Sequence, residues 1–323
     1  MKARALWYVA PGVAELREES LPPRAPDQAL VRMRASGISR GTERLVLAGR
    51  VPESQWPVMR APLMAGDFPH PVKYGYAAVG VVEDGPDALL GRRVFCLHPH
   101  QDLFLAPAAM CIPVPDDVPD LRAVLAANME TAVNILWDAR PLLGEWALVV
   151  GAGVVGLLAA ALLARIPGLS VTLCDIDPRR AGLARAMGAE FCRPEEAPKG
   201  CDLVVHASGS AAGLRLALAH AGFEARIIEA SWHGDREVSL PLGEAFHAGR
   251  FALISSQVGQ VAPAMRGRRS HADRLALALA LLADSRFDAL LAPPLPFAGL
   301  PAALPGLLEE GGSHPCPTIL YYP

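Results

Sequence analysis

The sequence predicts an α/β chain of two domains, a β-rich and barrel-like domain followed by a parallel sheet with helices on both faces. Its 323 residues are too many for one ordinary core and suit two domains. Residues 1–125 contain short β-rich runs separated by Pro and Gly turns, which is typical of a barrel-like domain. From 145 to 256, fully apolar strands alternate with helical stretches, which favours a parallel sheet.

The elements follow from local patterns. In the first domain, the β-rich runs are QALVRMRASGI, YAAVGVVED, RRVFCLHPH and AMCIPVP. A helix is predicted at ANMETAVNILWDA. The strands of the second domain are EWALVV, SVTLCD, DLVVHAS, ARIIEA and FALISS, with helices between them. One more helix and a short terminal strand, TILYY, follow residue 260.

The composition excludes several classes of protein. Hydrophobic residues make up 52% of the chain and charged residues 20%, so it can bury a large core. A net charge of −3 provides no basic field, so neither nucleic acid nor a membrane surface is an expected partner. The six cysteines form no CxxC pair, and we expect a reducing, cytoplasmic location. The apolar run GVVGLLAAALLA stops at Arg165 and Pro167, which favours a buried helix over a membrane span.

A dinucleotide-binding signature, GAGVVG, occupies Gly151 to Gly156 between an apolar strand and an apolar helix. Gly151 allows the tight turn, Gly153 lets the backbone approach a pyrophosphate, and Gly156 lets the helix pack close to the strand. Val154 and Val155 fill the variable positions of the turn. The alternative is a glycine-rich turn that binds nothing.

An acidic residue, Asp175, ends the next strand. Its carboxylate would accept hydrogen bonds from the ribose hydroxyls and repel a 2′-phosphate, so NAD is favoured over NADP. Arg179 and Arg180 follow closely and would allow NADP if they reached the 2′ position; otherwise they begin a solvated helix.

Four blocks together resemble the medium-chain dehydrogenase/reductase superfamily over essentially the whole chain. They are SGISRGTE at 36–43, KYGYAAVGVVED at 73–84, GRRVFCLHP at 91–99 and PPLPFAGLPAALPGL at 293–307. The resemblance implies a GroES-like β-barrel catalytic domain at 1–126 and 261–323, and a Rossmann domain at 127–260. It also implies hydride transfer with a nicotinamide cofactor.

The blocks depart from the zinc-dependent members of that superfamily. Ser39 stands where those members carry a cysteine, and Tyr76 where they carry a zinc-binding histidine. A phenol and a serine hydroxyl are poor zinc ligands beside thiolate and imidazole. The chain therefore resembles a zinc-lacking branch, including the bacteriochlorophyllide dehydrogenase-like proteins, and no metal is expected.

Without zinc, a hydrogen-bond donor must polarise the substrate oxygen. Tyr76 is the first candidate, and the alternative is an aromatic plug that fills the vacated metal site. Ser39 and Thr42 are candidate relay hydroxyls, although Thr42 also resembles a helix cap. His98 and His100 are candidate substrate contacts. Alternating with Cys96, they are also a possible metal triad, or simply packed histidines.

The DLVVHASGS segment resembles the turn whose backbone meets the nicotinamide side of the cofactor, with Ala207, Ser208 and Gly209 as contacts. Ligands of open α/β sheets bind beyond the carboxyl ends of the strands, which also points to a set of residues after the next two strands. That set is Trp232, His233, Ser256 and Gln257. The strand FALISS is expected at a sheet edge, where this family commonly pairs two subunits into a homodimer.

These observations predict a zinc-independent, NAD-dependent oxidoreductase that interconverts an alcohol and a carbonyl of a small-molecule substrate. Reduction of an activated C=C bond is the alternative within enzymes. A catalytically silent dinucleotide-binding sensor or scaffold is the alternative outside them.

Overall fold

The computed structural model describes residues 1–309 and 314–321, and its fold divides into two compact units. The first unit comprises Met1–Ala127 and Leu275–Pro323, and the second Asn128–Arg274. The predicted return to the first domain began at residue 261, whereas the division falls after Arg274. The reason is that the buried Arg274 guanidinium donates to Glu130 Oε1 at 3.0 Å and so anchors residues before it in the second unit.

The strands are numbered in chain order. They are β1 Lys2–Ala10, β2 Val13–Ser20, β3 Gln28–Gly37, β4 Ala65–Gly66, β5 Val72–Lys73, β6 Ala78–Asp84, β7 Arg93–Cys96, β8 Leu103–Pro107, β9 Ile112–Pro113, β10 Trp146–Val150, β11 Ser170–Cys174, β12 Glu190–Cys192, β13 Cys201–His206, β14 Ala221–Glu229, β15 Ala252–Ser255, β16 Leu295–Pro296 and β17 Thr318–Leu320.

The α-helices are numbered in the same way. They are α1 Arg40–Leu47, α2 Asp120–Ala123, α3 Ala126–Ala139, α4 Val154–Leu163, α5 Ala181–Ala186, α6 Ala211–His220, α7 His271–Leu281 and α8 Leu300–Leu308.

The first unit is built from two sheets. One has the order β2-β1-β5-β4, and the other runs β16-β17-β3-β6-β7-β9 with β8 also paired to β3. Strand β17 pairs antiparallel with β3, so the C-terminal segment completes a sheet begun near the N-terminus. Apolar side chains of the long strands, such as Leu6, Val31 and Phe95, are fully buried and form the core.

The second unit contains one sheet with the order β12-β11-β10-β13-β14-β15, and all of its neighbouring strands are parallel. In this order the first strand of the unit lies at the centre, and the chain winds outward in both directions from it, as in dinucleotide-binding sheets. Strand β15 lies at the edge, where Leu253 is exposed, so the edge position expected for FALISS is observed.

The longest apolar run of the sequence forms α4, a ten-residue helix that is almost entirely buried. It packs on the parallel strands, as the buried-helix interpretation requires. Among residues 1–309 and 314–321, no helix has both the length and the apolar character needed to cross a membrane.

Candidate functional site

In the first unit, the loop after β3 presents two hydroxyl groups to Tyr76. Ser39 is the N-cap residue of α1, but its side chain makes no capping hydrogen bond. Helix α1 begins at Arg40, so Thr42 lies inside it and the expectation that Thr42 caps the helix is wrong. Both side chains instead hydrogen-bond to the phenol of Tyr76. Three of the predicted site residues therefore meet at one point.

The position of Tyr76 depends on the glycine before it. Gly75 has φ +122°, and a Cβ there would lie only 2.8 Å from Cδ2 of His100. A side chain at 75 would be strained and would displace His100. The Tyr76 ring packs edge-on against Tyr74 with centroids 6.0 Å apart. Tyr74 is only 2% exposed, whereas Tyr76 is half-buried.

The surroundings of Tyr76 keep its hydroxyl protonated. Exclusion of solvent raises the pKa of Tyr76 to about 12, and the negative charge of Glu43 acts in the same direction. The hydrogen bonds with Ser39 and Thr42 partly oppose this shift. At neutral pH, Tyr76 is a neutral donor.

A buried carboxylate, Glu43, organises the base of the site. Its Oε1 accepts from the Ser39 backbone N–H at 2.7 Å, and its Oε2 accepts from the Tyr8 hydroxyl at 2.6 Å. His100 Nε2 lies 3.2 Å from Oε2. These contacts compensate for the burial of a charge that would otherwise be unfavourable.

His100 links this carboxylate to a second group of hydroxyls. Its Nδ1 lies 2.8 Å from Ser36 Oγ, which in turn lies 3.0 Å from the Tyr321 hydroxyl. Both ring nitrogens of the buried His100 are therefore engaged within the protein. The residues that sequence reasoning missed are Tyr8, Ser36 and Tyr321. Glu43 belongs to the SGISRGTE block and precedes the buried Leu45, Val46 and Leu47 of α1.

His98 and Cys96 do not join His100 in a ligand set. Strand β7 ends at Cys96, and the His98 N–H bonds to the Cys96 carbonyl at 2.9 Å, so the chain turns where regular alternation was expected. The Cys96 thiol hydrogen-bonds with Cys111, and the His98 ring stacks on Phe104 at 3.8 Å. Burial lowers the pKa of His98 to about 3, so it is a neutral, packed histidine.

The donors around Tyr76 do not fit a catalytic zinc. Ser39 and Tyr76 supply neutral hydroxyls, and the pKa of about 12 at Tyr76 disfavours the phenolate that a metal would need. Glu43 and His100 are the stronger ligand types, but each is already held by hydrogen bonds inside the unit.

The GAGVVG turn of the second unit has the geometry of a phosphate cradle. Gly151 has φ +108°, and a Cβ there would lie 2.7 Å from Ser208 Cα. A Cβ at Gly156 would lie 1.9 Å from the Gly151 carbonyl oxygen, so the helix approaches the strand as closely as glycine allows. Nothing lies within 4 Å of a Cβ built on Gly153, the N-cap of α4, and no side chain caps that helix. A pyrophosphate therefore fits at the helix N-terminus.

The carboxylate of Asp175 closes this turn. Its Oδ2 accepts from the Ala152 N–H at 2.6 Å and its Oδ1 from the Asp177 N–H at 2.8 Å. Each oxygen keeps a second lone pair for a ribose hydroxyl. Arg179 and Arg180 both approach Asp177, at 2.9 and 3.7 Å, which turns their charge toward that carboxylate.

The turn after β13 lies beside the glycine turn. The Ala207 N–H bonds to the Val150 carbonyl at 2.8 Å, and both Ala207 and Ser208 would contact a Cβ at Gly151. Gly209 has φ +66° and donates its N–H to Ser231 Oγ at 3.0 Å. The predicted cofactor residues of both turns thus share the carboxyl edge of one sheet.

By sequence, known proteins match only part of this chain, whereas by fold they match almost all of it. No protein-family model matches the chain. An L-threonine 3-dehydrogenase from Rhizobium rhizogenes is 34% identical over 84 residues, 26% of this chain and 24% of that protein. A zinc-type alcohol dehydrogenase-like protein from Haemophilus influenzae is 28% identical over 144 residues, 41% of this chain and 42% of that protein. The chain therefore spans about a quarter of the length of the first curated relatives it matches.

Solved structures match over almost the full length. L-idonate 5-dehydrogenase from Escherichia coli superposes with a TM-score of 0.82 at 14% identity, covering 99% of both chains. An Escherichia coli alcohol dehydrogenase complexed with NADH and a Sinorhizobium meliloti dehydrogenase bound to NADP each give a TM-score of 0.80 at 16% identity, with 99% of both chains covered. The chain therefore has the fold of these dehydrogenase structures, a GroES-like domain plus a Rossmann domain.

Proposed function

We propose that the chain is an oxidoreductase that interconverts an alcohol and a carbonyl, using NAD in preference to NADP and no zinc. The observation that carries the proposal is the Tyr76 hydroxyl, a neutral donor held by Ser39 and Thr42 at the position of a zinc ligand in the resembling family. The dehydrogenase names of the relatives and structural neighbours support the reaction class.

The second unit would hold the cofactor. Gly151, Gly153 and Gly156 leave room for the pyrophosphate at the start of α4, and Asp175 offers oxygens to the ribose. The backbone of 207–209 would meet the nicotinamide side. A bound nicotinamide supplies or accepts the hydride. The Asp175 charge and the engagement of the nearby arginines with Asp177 support NAD over NADP.

Tyr76 would act on the substrate oxygen. In carbonyl reduction its O–H donates to the oxygen as negative charge develops there, and the proton follows. The hydroxyls of Ser39 and Thr42 are in position to return a proton to Tyr76. No metal takes part in this sequence of transfers.

Glu43 would be a positioning residue. It fixes the Ser39 backbone through Oε1 and receives the Tyr8 hydroxyl on Oε2. Its negative charge also helps to keep Tyr76 protonated. His100 Nε2 lies 3.2 Å from the same Oε2, and holding Glu43 is a role distinct from the substrate contact predicted for His100.

We further propose a cytoplasmic homodimer, paired through the edge strand β15. This strand carries the exposed Leu253 and lies at the open end of the parallel sheet. An exposed apolar edge is normally covered in a stable protein. Six unpaired cysteines support a reducing location.

The test is cofactor turnover against two substrate panels. NADH oxidation is followed with a carbonyl panel, with an enone panel and without substrate. Turnover of carbonyls supports the proposal, whereas turnover restricted to enones identifies a C=C reductase. Binding of NADH without turnover on either panel identifies a silent dinucleotide-binding protein.

A further inference from the structure

The second unit carries a cluster of two histidines and a glutamate at the carboxyl edge of its sheet, the His206–Glu229–His233 cluster. Strands β13 and β14 end at His206 and Glu229, which pair in register. His206 Nδ1 lies 2.8 Å from Glu229 Oε2, and His233 Nε2 lies 3.6 Å from the same oxygen. One ligand atom from each residue lies within 4.8 Å of the others. Among residues 1–309 and 314–321, this is the sole such group.

The imidazole of His233 has one nitrogen without a partner. Its Nε2 is shielded from solvent and has no hydrogen-bond partner. A shielded imidazole nitrogen without a partner is unfavourable, and a bound ion is one of the groups that satisfies such an atom in native proteins. The Glu229 oxygen that it faces is too distant for a hydrogen bond, but the separation suits two ligands of one ion.

The surroundings orient the other two ligands. Glu229 Oε1 accepts from the Ser231 N–H at 2.6 Å and lies 2.9 Å from His206 Nδ1. Oε2 lies 2.8 Å from the same nitrogen and also faces His233, so it is the oxygen that both histidines share. His206 Nε2 lies 2.7 Å from Ser208 Oγ, which can accept its proton and leave Nδ1 as the ligand atom. Histidines that bind metals usually donate their second nitrogen in this way. Gly213 provides the space, because a Cβ there would lie 2.2 Å from Ser208 Oγ.

We propose that His206, Glu229 and His233 bind one divalent first-row transition-metal ion, with Zn²⁺ as the best-matched cation. Two imidazole nitrogens and one carboxylate oxygen suit zinc and exclude magnesium and calcium, which prefer oxygen ligands. Three protein ligands leave a fourth position for water. The site lies in the second unit and does not depend on the proposed function of Tyr76.

The experiment uses the full chain, freed of any affinity tag and stripped with chelator. Zn²⁺ is titrated by calorimetry, and Co²⁺ by visible absorption. We expect one equivalent of each, with a cobalt spectrum that lacks a thiolate charge-transfer band, since no cysteine belongs to the cluster. His233→Ala should weaken Zn²⁺ binding at least 100-fold. Ser208→Ala, which removes the acceptor behind His206, should weaken it about 10–100-fold.

His247→Ala is the matched control, because His247 is an exposed histidine of the same unit. It should bind Zn²⁺ like the unmodified chain. Circular dichroism verifies that each variant is folded, and Ser208→Ala, at an exposed residue, keeps the test valid if His233→Ala does not fold. Absence of binding in the unmodified chain, or binding that neither His233→Ala nor Ser208→Ala weakens, would overturn the proposal.

Discussion

Tyr76→Phe removes one hydroxyl and keeps the ring. If the hydroxyl donates to the substrate oxygen in the transition state, turnover should fall about 10²–10³-fold, which corresponds to about 2.7–4 kcal/mol. Stability should change by no more than about 1 kcal/mol per lost hydrogen bond, because Ser39 and Thr42 can bond to water at this partly accessible position. Cofactor affinity should be unchanged, since the GAGVVG turn belongs to the other unit. The measurements are kcat on the carbonyl found by the panel, melting temperature, and NADH titration by tryptophan fluorescence.

Two further variants separate donation from packing. Tyr74→Phe removes a neighbouring phenol hydroxyl and should leave turnover within about twofold. Tyr76→Ala opens a cavity and should lower stability by about 3 kcal/mol, as aromatic truncations do when the space stays empty. Full activity in Tyr76→Phe would refute donation and leave Tyr76 as a plug.

Three other predictions follow from the charges of the two units. Asp175 should make NADH bind at least tenfold more tightly than NADPH, about 1.4 kcal/mol, in fluorescence titrations; equal affinities would mean that an arginine reaches the 2′ position. The folded-state pKa of His98 lies below its ordinary 6.5, at about 3, so its contribution to stability is present above pH 6.5 and is lost as the pH falls toward 3. Urea unfolding at pH 7 and pH 4.5 should therefore show a loss of about 2–3 kcal/mol that His98→Gln lacks. His233→Ala lacks the proposed cation site, so its zinc content should be far below one per chain and a chelator should leave its turnover unchanged. One zinc per chain whose removal by chelator abolishes turnover would contradict zinc-independent catalysis.

The second unit could be predicted because its information is local. The turn GAGVVG, the strand before it and Asp175 after the next strand lie within one short segment, and each residue has one geometric task. The structure gives Gly151 its positive φ and brings Gly156 against the Gly151 carbonyl, as the pattern requires. The apolar strands likewise predicted a parallel sheet, because only strands buried on both faces read as continuous apolar runs.

The base of the Tyr76 site could not be predicted, because its members lie far apart in the chain. Tyr8 and Ser36 come from two strands, and His100 and Tyr321 from two segments outside the strands. Only the tertiary fold brings them to Glu43 or to each other. No local pattern distinguishes such residues from ordinary core positions. The alternation of Cys96, His98 and His100 was misleading for the opposite reason, since a turn at the end of β7 cancels the strand periodicity on which it relied.

The electrostatics of the site favour one direction of reaction. A zinc ion would bring positive charge to the substrate oxygen, whereas here the negative charge of Glu43 helps to raise the pKa of Tyr76 to about 12. A neutral phenol in such a pocket donates a hydrogen bond well and accepts a proton poorly at neutral pH. We therefore expect carbonyl reduction to be faster than alcohol oxidation at pH 7, and oxidation to accelerate as the pH rises toward the pKa of Tyr76. The two kcat values, measured from pH 6 to pH 10 with one alcohol and its carbonyl, provide the check. An oxidation rate that matches reduction at pH 7 and is independent of pH would mean that another group takes the proton.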